Sequence, residues 1–403
     1  MSWQMDPGYE GLIRKARQSH ERGRSTAGID QRDVDLARLY SYAYRTHTIG
    51  AFHATRWAIQ SRPGAGGPGA SPLTRALETL HDLANMGMEP VPKDFRALLS
   101  TLYRYDCGVR RVLDALDQKH QSSGDEAIGR IAFRFRRIIE QITTSNGIPL
   151  ARDTDVPEQA SFLVSALGVT IVPLVYGDHH SWNVAQLPAE PLTTTSHRHH
   201  HGVEIHLGYG PLDGYTILGA HCARVTEGYA MPIPVRTTHG YINTSGRAHS
   251  LPFIFGSLTH AGWGVFFDVE PCPRQLDELQ SVPVDSQPMN GTKHLDREIT
   301  AAEAGEPGRR VIVPPQRTAG NARSDAGALE LAVARIDERG LDLTADTFRI
   351  VSVVRGSGLL RIAQLQRPVH PHDHFGIPAG LRASLRQRGA GALVTLDSVI
   401  RSL

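Results

Sequence analysis

Residues 197–206 read HRHHHGVEIH, with five histidines in ten positions. Donors at that density have three readings: a purification tag, a solvated loop, or the first half of a metal site. Tags sit at chain ends, run uninterrupted, and are not followed at once by an alternating apolar segment such as VEIHLGYG. A metal held in a β-barrel needs ligands whose side chains all point inward, and His197 and His199, two residues apart on one strand, meet that geometry. Glu204 follows five residues on, after a turn at Gly202, where the next strand starts. A fourth donor must come from elsewhere, and GYAMPIPVRTTHGYIN supplies His239, preceded by Pro234 and followed four residues later by Asn243. The competing reading is a polar strand and turn whose histidines are simply solvated.

The elements that would position these residues emerge from hydropathy patterning. From about residue 10 to 145 the chain has a helical period: in DVDLARLYSYAYRTHTIGAFHATRWAI the apolar positions Val34, Leu36, Leu39, Tyr40, Ala43, Ile49 and Phe52 mostly recur at three- and four-residue steps. A Gly- and Pro-rich loop is expected over 62–72, a helix through LTRALETLHDLANM, and two more in KDFRALLSTLYRY and DEAIGRIAFRFRRIIEQI. Near residue 150 the texture changes to short strands between turns: ASFLVSALGVTIVPLVYG, VEIHLGYG, GYTILGAHCARV, AMPIPV, HGYINT and GWGVFFDV. Residues 271–325 are Pro-rich and polar and read as a long connection, and a second β texture follows.

Length and charge narrow the class of protein. A chain of 403 residues is long enough for two or three domains. With 43 Lys+Arg against 41 Asp+Glu, scattered along the chain, it has no electrostatic footprint for nucleic acid. Its most basic helical candidate, RIAFRFRRIIEQI, carries apolar residues on several faces and reads as packing. Three cysteines, Cys107, Cys222 and Cys272, form no CxxC pair, which fits a reducing cytoplasm. The N-terminal MSWQMDPGYEGLIRKARQ lacks a signal-peptide apolar core, and no stretch approaches membrane-span length, so neither secretion nor a membrane role is expected.

HRHHHGVE, residues 197–204, resembles the first motif of the cupin superfamily: His-x-His, three or four residues, then Glu, with a glycine shortly after, here Gly210 standing one place early. Residues 228–243 resemble the second motif through Gly228, Pro234, His239 and Asn243, with Arg236 where the family usually has glycine. The resemblance covers about 160–270 and extends weakly to the C-terminus. It implies metal ligation by His197, His199, Glu204 and His239, with His201 as a register competitor that could replace the first histidine through a His199-x-His201 pair. Three imidazoles and one carboxylate suit a first-row divalent ion with open coordination positions. Iron(II) is the first choice, and Mn, Ni and Zn take the same donors.

The C-terminal run HFGIPAGLRASL resembles another second-motif strand, with Pro378 and Gly380 in the pattern but Ala383 where the metal histidine would stand. That barrel is expected to be metal-free and buried within the chain or against a second subunit, as in a homodimer. HPHDH, with His370, His372, Asp373 and His374, reads as a solvated turn. The expected architecture is α+β: an N-terminal helical domain (1–150), a metal-binding cupin β-barrel (151–270), the connection (271–325) and a second, degenerate cupin-like β-barrel (326–403).

The resulting expectation is a metal-dependent enzyme acting on a small polar, anionic molecule. A non-haem iron oxygenase or oxidase using dioxygen comes first, and a non-redox isomerase, lyase or decarboxylase second. A ligand-sensing binding protein is the reading from another class. Arg236 and Tyr241 are the candidate catalytic residues. Arg236 has a planar fork suited to a carboxylate or phosphate, with a surface ion pair as its bland alternative. Tyr241, like Tyr209 and Trp263, also reads as barrel packing.

Overall fold

The computed structural model describes residues 7–22, 30–44, 95–126, 150–152, 162–164, 169–189, 196–209, 212–257, 268–289, 291–317 and 327–402, with scattered residues between 75 and 136. The loop expected at 62–72, most of the LTRALETLHDLANM helix, Gly210, Trp263 and all but the last two residues of GWGVFFDV lie outside them.

Helix α1 (Pro7–Arg22) opens on a proline, whose missing N–H costs nothing at a first helical position. Helix α2 spans residues 31–44 and α3 Phe95–Ser123. In α3, Leu98, Leu99, Leu102, Tyr105, Val109, Val112 and Leu116 are buried at helical spacing, so one stripe faces the core. Asp106 lies in this core: its Oδ1 accepts from Tyr9 at 2.8 Å and Tyr44 at 2.7 Å, and Arg110 Nε lies 2.9 Å from Oδ2. No helix among the described residues is long and apolar enough to cross a membrane.

Two β-sheet pairs follow. The first comprises β2 (Phe162–Val164), β3 (Val169–Tyr176), β4 (His180–Leu187), β5 (His197–Arg198), β6 (Val203–Leu207), β7 (Gly214–Leu218), β8 (His221–Val225), β9 (Ala230–Ile233), β10 (His239–Asn243), β11 (His249–Gly256), β12 (Glu270–Pro271) and β13 (Gln280–Ser281), β1 being Leu150–Arg152. One sheet runs β12-β5-β10-β7-β8-β13 and its partner β2-β3-β4-β11-β6-β9. Strand β6 shows how the pair works. Val203, Ile205 and Leu207 face out into a core shared with the second barrel and the helices, while Glu204 and His206 alternate inward. Met231, Ile233, Phe253 and Phe255 line the interior beside them.

The second barrel takes its strands from β14 (Gly308–Arg317), β15 (Gly327–Ile336), β16 (Leu341–Asp342), β17 (Arg349–Arg355), β18 (Gly358–Ile362), β19 (Leu365–Val369), β20 (Asp373–Ile377), β21 (Ala383–Gln387) and β22 (Leu393–Ser402). Its large sheet has the order β1-β20-β17-β22-β15-β14, and the smaller one β16-β21-β18-β19. The large sheet packs Leu329, Leu331, Leu396 and Ile400 into the same core as Ile205 and Ile254 of the first barrel. The chain is thus α+β, with helices first and two barrels after them.

Three placements differ from expectation. The stretch 271–325 holds structure: β12, β13, helix α4 (Leu295–Ala304) and β14. Its prolines disguise a strand because Pro314 and Pro315 sit in an edge strand, where a missing N–H is tolerated, within the register shift between Val313 and Gln316. Strand β1 joins the second barrel, pairing Leu150 with Phe375. Of HPHDH, His370 and His372 are exposed, but Asp373 and His374 are buried and open β20.

Candidate metal centre

Strands β5 and β10 are antiparallel neighbours with His197 opposite His239, so one sheet carries two of the imidazoles side by side. Glu204 enters from the facing sheet on β6. Between them the chain turns at residues 200–202, and Asp268 holds that turn. Its carboxylate accepts the backbone N–H groups of His200 (2.9 Å), His201 (2.7 Å) and Gly202 (3.0 Å). Gly202 is required by contact: a Cβ there would lie 2.2 Å from the Phe255 ring. The turn is also tied to the β9–β10 connection, where Arg236 N donates to His199 O at 2.7 Å.

One oxygen, Glu204 Oε2, is the focus. It lies 2.8 Å from His239 Nε2, 3.0 Å from His199 Nε2 and 4.0 Å from His197 Nε2. Ligand atoms of His197, His199, Glu204 and His239 all fall within 4.8 Å of one another, and among the described residues no other group of three or more such donors converges. The last three residues are buried and His197 is 12% exposed at its side chain.

Proton accounting tests whether a cation fits. His199 Nδ1 faces the Asp268 carbonyl at 2.5 Å and His239 Nδ1 faces the Thr237 carbonyl at 2.8 Å. A carbonyl only accepts, so each Nδ1 carries the proton, and in a neutral ring Nε2 is left with a lone pair. Burial holds the His239 pKa below the usual histidine value despite the pull of Glu204, so that ring is neutral. Burial would raise the Glu204 pKa, but the surrounding imidazoles, His239 first and then His199 and His206, outweigh it and hold the carboxyl well below its ordinary range. At His239 a lone pair therefore faces an ionised oxygen at hydrogen-bond distance, with His199 Nε2 beside it, an arrangement that a shared cation resolves. Three imidazoles and one carboxylate are the donor set of a divalent first-row ion.

His197 on β5, His199 just past its end, Glu204 on the facing β6 and His239 on β10 put these four donors inside a barrel of two antiparallel sheets, in the order of the two sequence motifs. The fold is a cupin fold. The second cupin barrel carries Ala383, 5% exposed on β21, where the pattern would have its histidine.

No protein-family model matches the chain and no curated protein matches it. Among solved structures it is similar to a salicylate 1,2-dioxygenase from Pseudoaminobacter salicylatoxidans, at 14% identity over 58% of this chain and 76% of that one, TM-score 0.38. It is also similar to a cupin 2 conserved barrel domain protein from Leptotrichia buccalis, at 9% identity over 58% and 89%, TM-score 0.37. A third is an oxalate decarboxylase from Bacillus subtilis, at 12% identity over 63% and 79%, TM-score 0.38.

The remaining sequence candidates fall around this cupin site. His197 is in the converging group and His201 stays on the turn. Tyr241, on β10, is buried with the apolar interior, and burial raises its phenol to about 12. Arg236 is exposed on the β9–β10 connection, with φ 63 in the left-handed region that the family's glycine suits. Two residues that shape the site were missed: Asp268, whose turn contacts leave no sequence mark, and His206, whose two-residue step from Glu204 on an alternating strand is a legible signal.

Proposed function

We propose that the first cupin barrel holds one divalent metal ion through His197, His199, Glu204 and His239, iron(II) in the first instance, and that the protein is a non-haem oxygenase or oxidase acting on a small polar, anionic substrate. The observation that carries this reading is the convergence of three Nε2 atoms on one ionised carboxylate oxygen inside the first barrel. When bound, such an ion supplies open coordination positions for substrate and dioxygen. The chain's own residues do the rest. Asp268 and Thr237 fix the imidazoles so that their lone pairs face inward. Tyr241, protonated at neutral pH, is a hydrogen-bond donor at the barrel interior. The Arg236 guanidinium, exposed on the connection leading to His239, anchors the anionic group of the substrate.

The test is anaerobic loading of untagged protein with iron(II), followed by oxygen-uptake measurements across a panel of small aromatic and aliphatic carboxylates. Substrate-dependent uptake that disappears in His239→Ala is expected. Turnover under strictly anaerobic conditions with zinc or manganese, and no uptake with iron, would replace oxygenase by a non-redox lyase, isomerase or decarboxylase.

A further inference from the structure

His206 is the least expected side chain in the first barrel. It sits on β6, 4% exposed, opposite Met231 of β9 and Phe253 of β11. Its ring centroid is 5.3 Å from His239 and 6.5 Å from Phe253. An imidazole in an apolar interior is costly unless its polar atoms are used. Nδ1 is buried with no hydrogen-bond partner among the described residues, whereas Nε2 lies 3.4 Å from Glu204 Oε1. The carboxylate therefore has two distinct sides: Oε2 turns to His197, His199 and His239, and Oε1 turns to His206.

Proton placement separates His206 from its neighbours. His199 and His239 direct Nδ1 at backbone carbonyls and Nε2 at Glu204 Oε2. His206 Nδ1 meets no acceptor among the described residues, and it is the Nε2 N–H that faces and donates to Oε1. Resting on the metal reading above, we propose that His206 is a positioning residue: it holds Oε1 away from the ion, so that Glu204 binds through Oε2 alone and one more coordination position stays open to substrate. A freely rotating carboxylate in the same place can offer both oxygens and close that position.

Cobalt(II) reads coordination number through its visible absorption, which is weak for six ligands and stronger for fewer, so it tests this without turnover. Wild type, His206→Phe, His206→Gln and His206→Asn are loaded with cobalt(II), and each is followed by absorption, chelator competition and thermal melting. Gln carries its amide to about the Nε2 position and should keep the wild-type spectrum. Phe fills the space with no donor, and should give a weaker, more highly coordinated spectrum and bind cobalt about 10-fold or more loosely. If His206→Phe does not fold, Gln and Asn decide between them, because the Asn amide reaches only the Nδ1 position and should behave as Phe does. A folded Phe or Asn variant with the wild-type spectrum and affinity overturns the positioning role while leaving the metal site standing. Wild type that takes up no cobalt overturns the metal reading itself, and this inference with it.

Discussion

Two side chains outside the ligand set decide how well the four donors are held. Asp268 accepts three consecutive backbone N–H groups with its carboxylate and the His199 Nδ1 proton with its carbonyl. Asp268→Asn keeps the shape and the carbonyl but removes the charge, weakening the charge-assisted bonds. Metal binding should weaken by roughly 10–100-fold with a smaller loss of melting temperature, as measured by chelator competition and calorimetry; unchanged affinity would rule out a role for this clamp. Arg236 is held at φ 63, a conformation that strains a side chain and suits glycine. Arg236→Gly should therefore stabilise the fold by about 1 kcal/mol or less, while KM for an anionic substrate rises and metal content stays the same. A destabilised variant with wild-type KM would show that the side chain packs and does not anchor. His197, His199, Glu204 and His239 were legible in the sequence because strand alternation and a tight turn restrict which donors can point inward. Asp268 was not, because a clamp across more than sixty residues is a tertiary contact with no local pattern.

At the level of elements, β6 and β20 show two uses of one strand design. β6 aims Glu204 and His206 inward and packs Ile205 outward, and the alternation VEIHL declares it. β20 begins inside HPHDH, and its His374 faces outward against Trp182 of the first barrel, ring centroids 5.5 Å apart. His370→Ala with His372→Ala should leave melting temperature and metal content unchanged, both side chains being exposed. His374→Ala should lower stability by about 1–2 kcal/mol through lost packing, again with metal content unchanged. Metal loss in the exposed pair, followed by elemental analysis, would mean that the second barrel takes part in ligation. Strand β14 escaped the sequence reading because two prolines mimic a linker, and only its edge position explains them. Strand β1, three residues long, pairs with a partner over two hundred positions away, beyond any local signal.

In the whole molecule, the barrels and helices share one apolar core, and buried polar groups lie at their junction. Tyr42 of α2 donates to Asp178 Oδ2 at 3.2 Å, and His180 Nε2 donates to the Ser398 carbonyl of β22 at 3.2 Å. Burial lowers the His180 pKa to about 3. Above about pH 6.5 the ring is neutral in both folded and unfolded chains; between 6.5 and 3 the unfolded chain takes a proton that the folded one refuses, so stability falls as pH drops through that window. The contribution approaches about 1.4 kcal/mol per pH unit. Melting temperature should therefore decline more steeply from pH 6.5 to 4.5 in wild type than in His180→Gln, and parallel curves would contradict a neutral ring at the junction. Elemental analysis of untagged protein tests the metal centre most directly. About one first-row metal ion per chain is predicted for wild type and none for folded His239→Ala; wild type without metal, or a folded variant that retains it, would contradict the account.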